Sequence, residues 1–223
     1  IRGWNVAEFQ GAIPGFTEIR WEKTGSSEFA GVTIDKYVLY HSRVLELPLL
    51  YMHKTSGPSQ KTVLWLGEKG KSASEDWPNI SKHLDEGNDV VSFEPRGMGE
   101  TRMPYKAISP DDPALAQLDF DHAYVNPLSG VLADYGYNAL LSGRPYFLQM
   151  IEDAEIATRF FKGAVNPKAN ISVTGTNGAY TLASAVSETL PSIKLISQPG
   201  DRTLQWSELV EQKTELWPIQ YLL

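Results

Sequence analysis

The chain contains no cysteine. That excludes disulfides, thiolate metal sites and a cysteine nucleophile, but chooses no compartment. No apolar run approaches the roughly 18 residues expected of a membrane-spanning helix. No Lys/Arg-rich run occurs, and the formal net charge of −7 argues against a general nucleic-acid binder, whose partner is a polyanion. Residues 1–10 mix Arg2, Asn5 and Glu8 with apolar residues and carry no signal-peptide pattern. There is no internal repeat and no low-complexity tract.

What is present suits one sizeable globular domain: 223 residues with 42% apolar side chains, enough to build a core. Residues 1–30 hold Gly11, Pro14, Gly15 and Gly25 and read as an N-terminal arm or linker. Residues 31–223 read as the domain. Two β-rich runs, 32–40 and 44–53, are expected to pair as an antiparallel hairpin. Short strands are expected at 61–66, 89–93, 171–174 and 193–197. Helices are expected at 74–84, with Ser74 as its cap, and at 144–162, 179–190 and 204–214. Residues 218–223 read as a final strand. The stretch 94–136 is too long for a plain connection and is expected to carry a functional loop or short helices. Strands alternating with helices predict an α/β fold, a mainly parallel sheet flanked by helices, with the hairpin at one edge.

The most informative segment is Ile171-Ser172-Val173-Thr174-Gly175-Thr176-Asn177-Gly178-Ala179. An apolar strand runs into a turn bracketed by small residues and then into a helix. Gly175 and Ala179 occupy positions where a strand-to-helix turn demands small side chains. Asn177 is one of the few non-glycine residues that tolerate positive φ. Two more segments stand in order before it: Phe93-Glu94-Pro95-Arg96-Gly97-Met98-Gly99-Glu100-Thr101, and the stretch 137–145, which ends in Gly143-Arg144-Pro145.

Together these segments resemble the α/β-hydrolase superfamily, in particular acetyl xylan esterase-like and dienelactone hydrolase-like members. Gly175-Thr176-Asn177-Gly178-Ala179 matches the nucleophile elbow, G-x-S-x-G. Arg96, Gly97 and Gly99 match the structural turn after the fourth strand of that family. The order of elements agrees from about residue 32 to 197. The resemblance implies an esterase-like fold and, from the bacterial members, a secreted or periplasmic setting. It also implies an oxyanion-type loop at Gly67 and Glu68, where the family's His-Gly is Leu66-Gly67.

Three departures bear on activity. Asn177 has neither hydroxyl nor thiol, so no covalent acyl-enzyme forms there. The family order is nucleophile, acid, histidine, whereas His41, His53, His83 and His122 all precede the elbow. The strands that carry acid and base in the family are expected to lie outside this chain. The expectation is therefore an incomplete α/β-hydrolase fold, a pseudoenzyme with no catalytic residue of its own. The alternative is part of an active ester hydrolase on acylated polysaccharide, completed by a missing C-terminal segment or a partner chain. Partners expected on this reading are a second copy or that segment, seated near Trp206, Trp217 and Tyr221, and a carbohydrate or small ester ligand. No cofactor and no metal is expected.

Rival readings are weaker. Gly175-Thr176-Asn177-Gly178 lacks the third glycine of a dinucleotide loop, and the next strand ends in Ser197-Gln198 rather than an acid. A nucleotide-binding domain is thus a remote alternative. Gly67-Glu68-Lys69-Gly70-Lys71-Ser72 follows a strand like a P-loop, but has two residues between glycines where the phosphate cradle needs four. His122 beside Asp119 and Asp121 reads as a polar loop rather than a metal site. The six tryptophans are expected to be buried.

Overall fold

A computed structural model describes residues 19–41, 45–54, 59, 61–102, 131–197 and 201–203. The strands are β1 (Arg20–Phe29), β2 (Val32–His41), β3 (Leu45–Lys54), β4 (Lys61–Leu66), β5 (Asp89–Phe93), β6 (Asn170–Gly175) and β7 (Lys194–Leu195). The helices are α1 (Trp77–Asp85), α2 (Val131–Leu141), α3 (Tyr146–Phe160) and α4 (Ala179–Thr189). The strands form one sheet in the order β1-β2-β3-β5-β4-β6-β7. Its core, β5-β4-β6-β7, is parallel, and β1, β2 and β3 extend it antiparallel through β3–β5. Among the described residues, no helix is long and apolar enough to cross a membrane.

Alternation along the strands sorts side chains to two faces. Leu64 and Leu66 on β4, Val91 and Phe93 on β5, and Ile171 and Val173 on β6 join the larger core under α3 and α4. Val63, Trp65 and Val90 point the other way and pack with Ile80 and Leu84 of α1. Because both faces are covered, β4 and β5 read as nearly continuous apolar runs. On α3 the expected stripe is buried in full: Phe147, Met150, Ile151, Ala154, Ala157 and, just past its end, Phe161.

Some expectations need correction. Residues 20–29 are not part of an arm. They form edge strand β1, paired with β2 along its length. Between Trp21 and Phe29 its residues are polar or glycine, and none of the strand is buried, so no apolar alternation marked it. Trp21 is accordingly 41% exposed, although its ring packs on Tyr37 and Phe160. Trp65 is buried, Trp77 is half-buried, and Trp4, Trp206 and Trp217 lie outside the described residues. Ser74 is not a cap: it begins a short 3₁₀ turn, Ser74–Asp76, with no side-chain capping bond. Pro145 precedes α3, at ψ 137°, rather than lying in its first turn. The strand expected at 193–197 is reduced to Lys194–Leu195. The runs expected at 204–214 and 218–223, the partner surface near Tyr221, and His122 lie outside the described residues.

An ionic contact holds the loop that leaves β5. Arg96 donates from Nε and its backbone N–H to Asp153 Oδ2, at 2.8 and 2.9 Å. Its Nη2 reaches Asp153 Oδ1 and its Nη1 reaches Gln149. Asp153 is fully buried on α3, so the turn after β5 is pinned to that helix by a two-pronged guanidinium clamp. Asp153→Ala leaves Arg96 without its carboxylate in a mostly buried position. Urea denaturation should show a loss of about 3 kcal/mol, and wild-type stability in that variant would refute the clamp.

His83 on α1 is buried against the edge of Trp65, with no hydrogen-bond partner on either ring nitrogen. Burial, aided by Lys82 and opposed by Glu86, lowers its pKa from the ordinary 6.5. As pH falls below that value, the unfolded chain takes up the proton more readily than the fold does. Stability should therefore drop. His83→Leu should flatten that acid-side slope in thermal melts across mildly acidic pH, and an unchanged slope would show that another group causes it.

Candidate functional site

The loops after β4, β5 and β6 gather outside the carboxyl ends of the parallel strands, where ligands of open α/β sheets bind. The centre is the turn after β6. The β4–β6 pairing ends with Leu66 opposite Gly175, and the Thr176 N–H extends it by donating to Leu66 O at 3.1 Å. Asn177 then takes φ 50° and its side chain is exposed. The chain enters α4 at once, with the Tyr180 N–H donating to Asn177 O at 3.1 Å. A Cβ on Gly175 would lie 2.7 Å from the Ala179 carbonyl. Only glycine fits there, which is the physical content of the small-residue pattern.

The Gly67–Glu68 loop meets this turn directly. The Glu68 N–H donates to Thr176 Oγ1 at 3.2 Å. The Glu68 carboxylate accepts from the Gly178 N–H, also at 3.2 Å. In an elbow, the N–H after the nucleophile and an N–H from the loop after an earlier strand bind the oxyanion. In this turn the Gly178 and Glu68 N–H groups are both taken by side chains of the same chain.

Asp76 lies beneath the loop. It is 5% exposed and accepts from Trp65 Nε1 at 3.1 Å. Burial raises its pKa, while the Trp65 indole and the Thr176 side chain pull it back. A Cβ on Gly67 would stand 2.5 Å from its Oδ2, so the loop backbone passes against this carboxylate. Beside it, Glu94 is buried and accepts from the Lys71 N–H at 2.7 Å and the Glu100 N–H at 3.0 Å. Lys71 Nζ lies 3.4 Å from Glu94 and 2.8 Å from Glu100. The resemblance placed Arg96, Gly97 and Gly99 in a structural turn. Gly97 and Gly99 take φ 79° and 52° there, and a Cβ on Gly99 would collide with Glu94.

The structure thus brings together Gly67, Glu68, Gly175, Thr176, Asn177, Gly178 and Ala179, with Arg96, Gly97 and Gly99 on the adjoining loop. Neither histidine with a described side chain joins them. His53 lies near the start of β5, next to the Met52–Val90 pair, at the opposite end of the strands. His83 sits below the sheet on α1. Among the described residues, no three His, Asp or Glu side chains are placed to hold a metal. The sequence reading missed Asp76, Thr176 as a hydrogen-bonding side chain, and Asp153. Asp153 alone left a trace, since an acid sits one position off the apolar stripe of α3.

No family model matches the chain, and no curated protein matches it. Solved structures do. Acetyl xylan esterase 1 from Thermoanaerobacterium sp. JW/SL YS485 superposes with a TM-score of 0.53 at 15% identity, over 86% of this chain and 57% of its own. A cold-adapted esterase from an Arctic intertidal metagenomic library gives 0.53 at 15% identity, over 79% and 64%. Acetyl xylan esterase from Paenibacillus sp. R4 gives 0.51 at 16% identity, over 85% and 54%. The chain therefore spans less than two thirds of the length of each. At such identity the likeness establishes the fold, and that fold is the α/β-hydrolase-type architecture of these esterases.

Proposed function

We propose that this chain is a hydrolase-fold domain that does not hydrolyse esters by itself and serves in binding or scaffolding. The observation that carries the reading is the pairing of Asn177 at the nucleophile position with the Glu68 carboxylate on the Gly178 N–H. An amide side chain cannot form an acyl-enzyme. A carboxylate on the oxyanion donor opposes the negative charge that acyl transfer develops at that point. Loss of one such donor costs about 10²–10³ in kcat in working enzymes. A carbohydrate or small acyl ester is the ligand class that the likeness to acetyl xylan esterases supports.

A second reading rests on the greater length of those esterases. A further segment or a partner chain would complete an ester hydrolase on acylated polysaccharide. That reading needs a nucleophile from outside the elbow, because Asn177 offers none.

The chain should hydrolyse p-nitrophenyl acetate no faster than buffer. Asn177→Ser should stay inert as well, since neither histidine with a described side chain stands at the elbow to accept the hydroxyl proton. Turnover by the unmodified chain that one Ser or His substitution abolishes would overturn the proposal.

A further inference from the structure

Asn177 and Gly178 form the only Asn–Gly pair in the 223 residues. In such a pair the following backbone nitrogen can reach the asparagine side-chain carbonyl with no Cβ beside it to obstruct the approach. The elbow adds three conditions. Asn177 is exposed, so water reaches its amide. Its φ of 50° sets it outside helical geometry. The Gly178 N–H, whose nitrogen would be the attacking atom, donates to Glu68 Oε1 at 3.2 Å. A carboxylate on the proton that must leave is a positioned general base.

We propose that Asn177 is a self-modification site, deamidated through a succinimide with Glu68 as the base. Glu68 accepts the Gly178 amide proton as the nitrogen forms a bond to Asn177 Cγ. The bond from Cγ to the side-chain nitrogen then breaks, and that nitrogen leaves as ammonia, carrying the proton Glu68 returns. The product is a five-membered ring between residues 177 and 178. Water opens it at Cγ to give aspartate, or at the backbone carbonyl to give isoaspartate. The net reaction consumes one water and releases one ammonia, with no oxidant or reductant.

The modification changes the site that makes it. A new carboxylate at position 177 sits on the turn whose next N–H the Glu68 carboxylate holds. Like charges disfavour that arrangement, so Glu68 is expelled and the Gly178 N–H is freed. An isoaspartate also lengthens the backbone at the tightest point of the strand-to-helix turn. The inference stands apart from the proposal on catalysis, because its readout is a mass change and not turnover.

The test incubates the full chain at neutral pH and follows the tryptic peptide 169–194 by mass spectrometry, with isoaspartate detected separately. A synthetic peptide spanning the elbow is the unfolded reference. Conversion at Asn177 should run about tenfold or more faster in the folded chain than in the peptide. Glu68→Gln keeps an acceptor for the Gly178 N–H but removes the base. It should slow conversion by about tenfold or more, since positioned bases typically contribute about 10²–10⁴-fold. A folded chain no faster than the peptide overturns the proposal, as does an unchanged rate in a natively folded Glu68→Gln variant. If that variant does not fold, the comparison of chain with peptide decides alone.

Discussion

The site depends on the register of β4 against β6. Leu66 stands opposite Gly175, so both strands end at the same level and their loops leave side by side. Parallel strands reach this alignment only through crossovers, which cover the sheet with helices and leave the carboxyl ends open. Were the register shifted by one residue, every β4 side chain would change faces. Trp65 would then lose Asp76 and the α1 core. Glu68 meets Gly178 across 110 residues because neither loop has room to diverge before it leaves the sheet.

The same end of the sheet buries an unusual amount of charge. Glu94 and Lys71 are both nearly inaccessible, and Asp153 has no exposure at all. Buried pairs of this kind are weak sources of net stability, because desolvation offsets the attraction. What they supply here is position. Glu94 accepts backbone N–H groups from the loop after β4 and from the turn after β5, fixing one against the other. The Ser92 hydroxyl adds a bond to Lys71 O at 2.8 Å. Apolar replacements would satisfy none of those N–H groups, so the carboxylate is required by the backbone rather than by its salt bridge.

Much of this fold was legible in the sequence, for reasons that differ by element. The core strands could be read because both faces are covered, so apolar side chains run nearly without interruption from Val63 to Leu66 and from Val90 to Phe93. The stripe on α3 was legible by its helical spacing. The elbow could be read because Gly175, Ala179 and a residue tolerant of positive φ occur at fixed offsets. β1 was not legible: an exposed edge strand with no buried face follows no hydrophobic period. β7 was overestimated because burial of Ile193 does not require strand pairing. The carboxylate of Glu68 was invisible as well, since its partner is a backbone group that only the β4–β6 register brings near.

These contrasts separate what an elbow says about fold from what it says about chemistry. Gly175 is demanded by the Ala179 backbone, and Ala179 is fully buried. Both constraints come from packing a helix against the strand that precedes it, and both persist whatever residue stands at 177. The positive φ at that residue follows from the same tight turn. A matching elbow pattern therefore reports a β-turn-α packing unit, and it is present here in full. Chemistry needs two further things: a nucleophilic atom at 177 and free donors to meet the developing charge. This chain puts an amide in the first place and the Glu68 carboxylate in the second. On the proposed reading, the hydrolase-type fold and the obstacles to ester hydrolysis coexist without conflict, since they rest on different atoms of the same five residues and their neighbour.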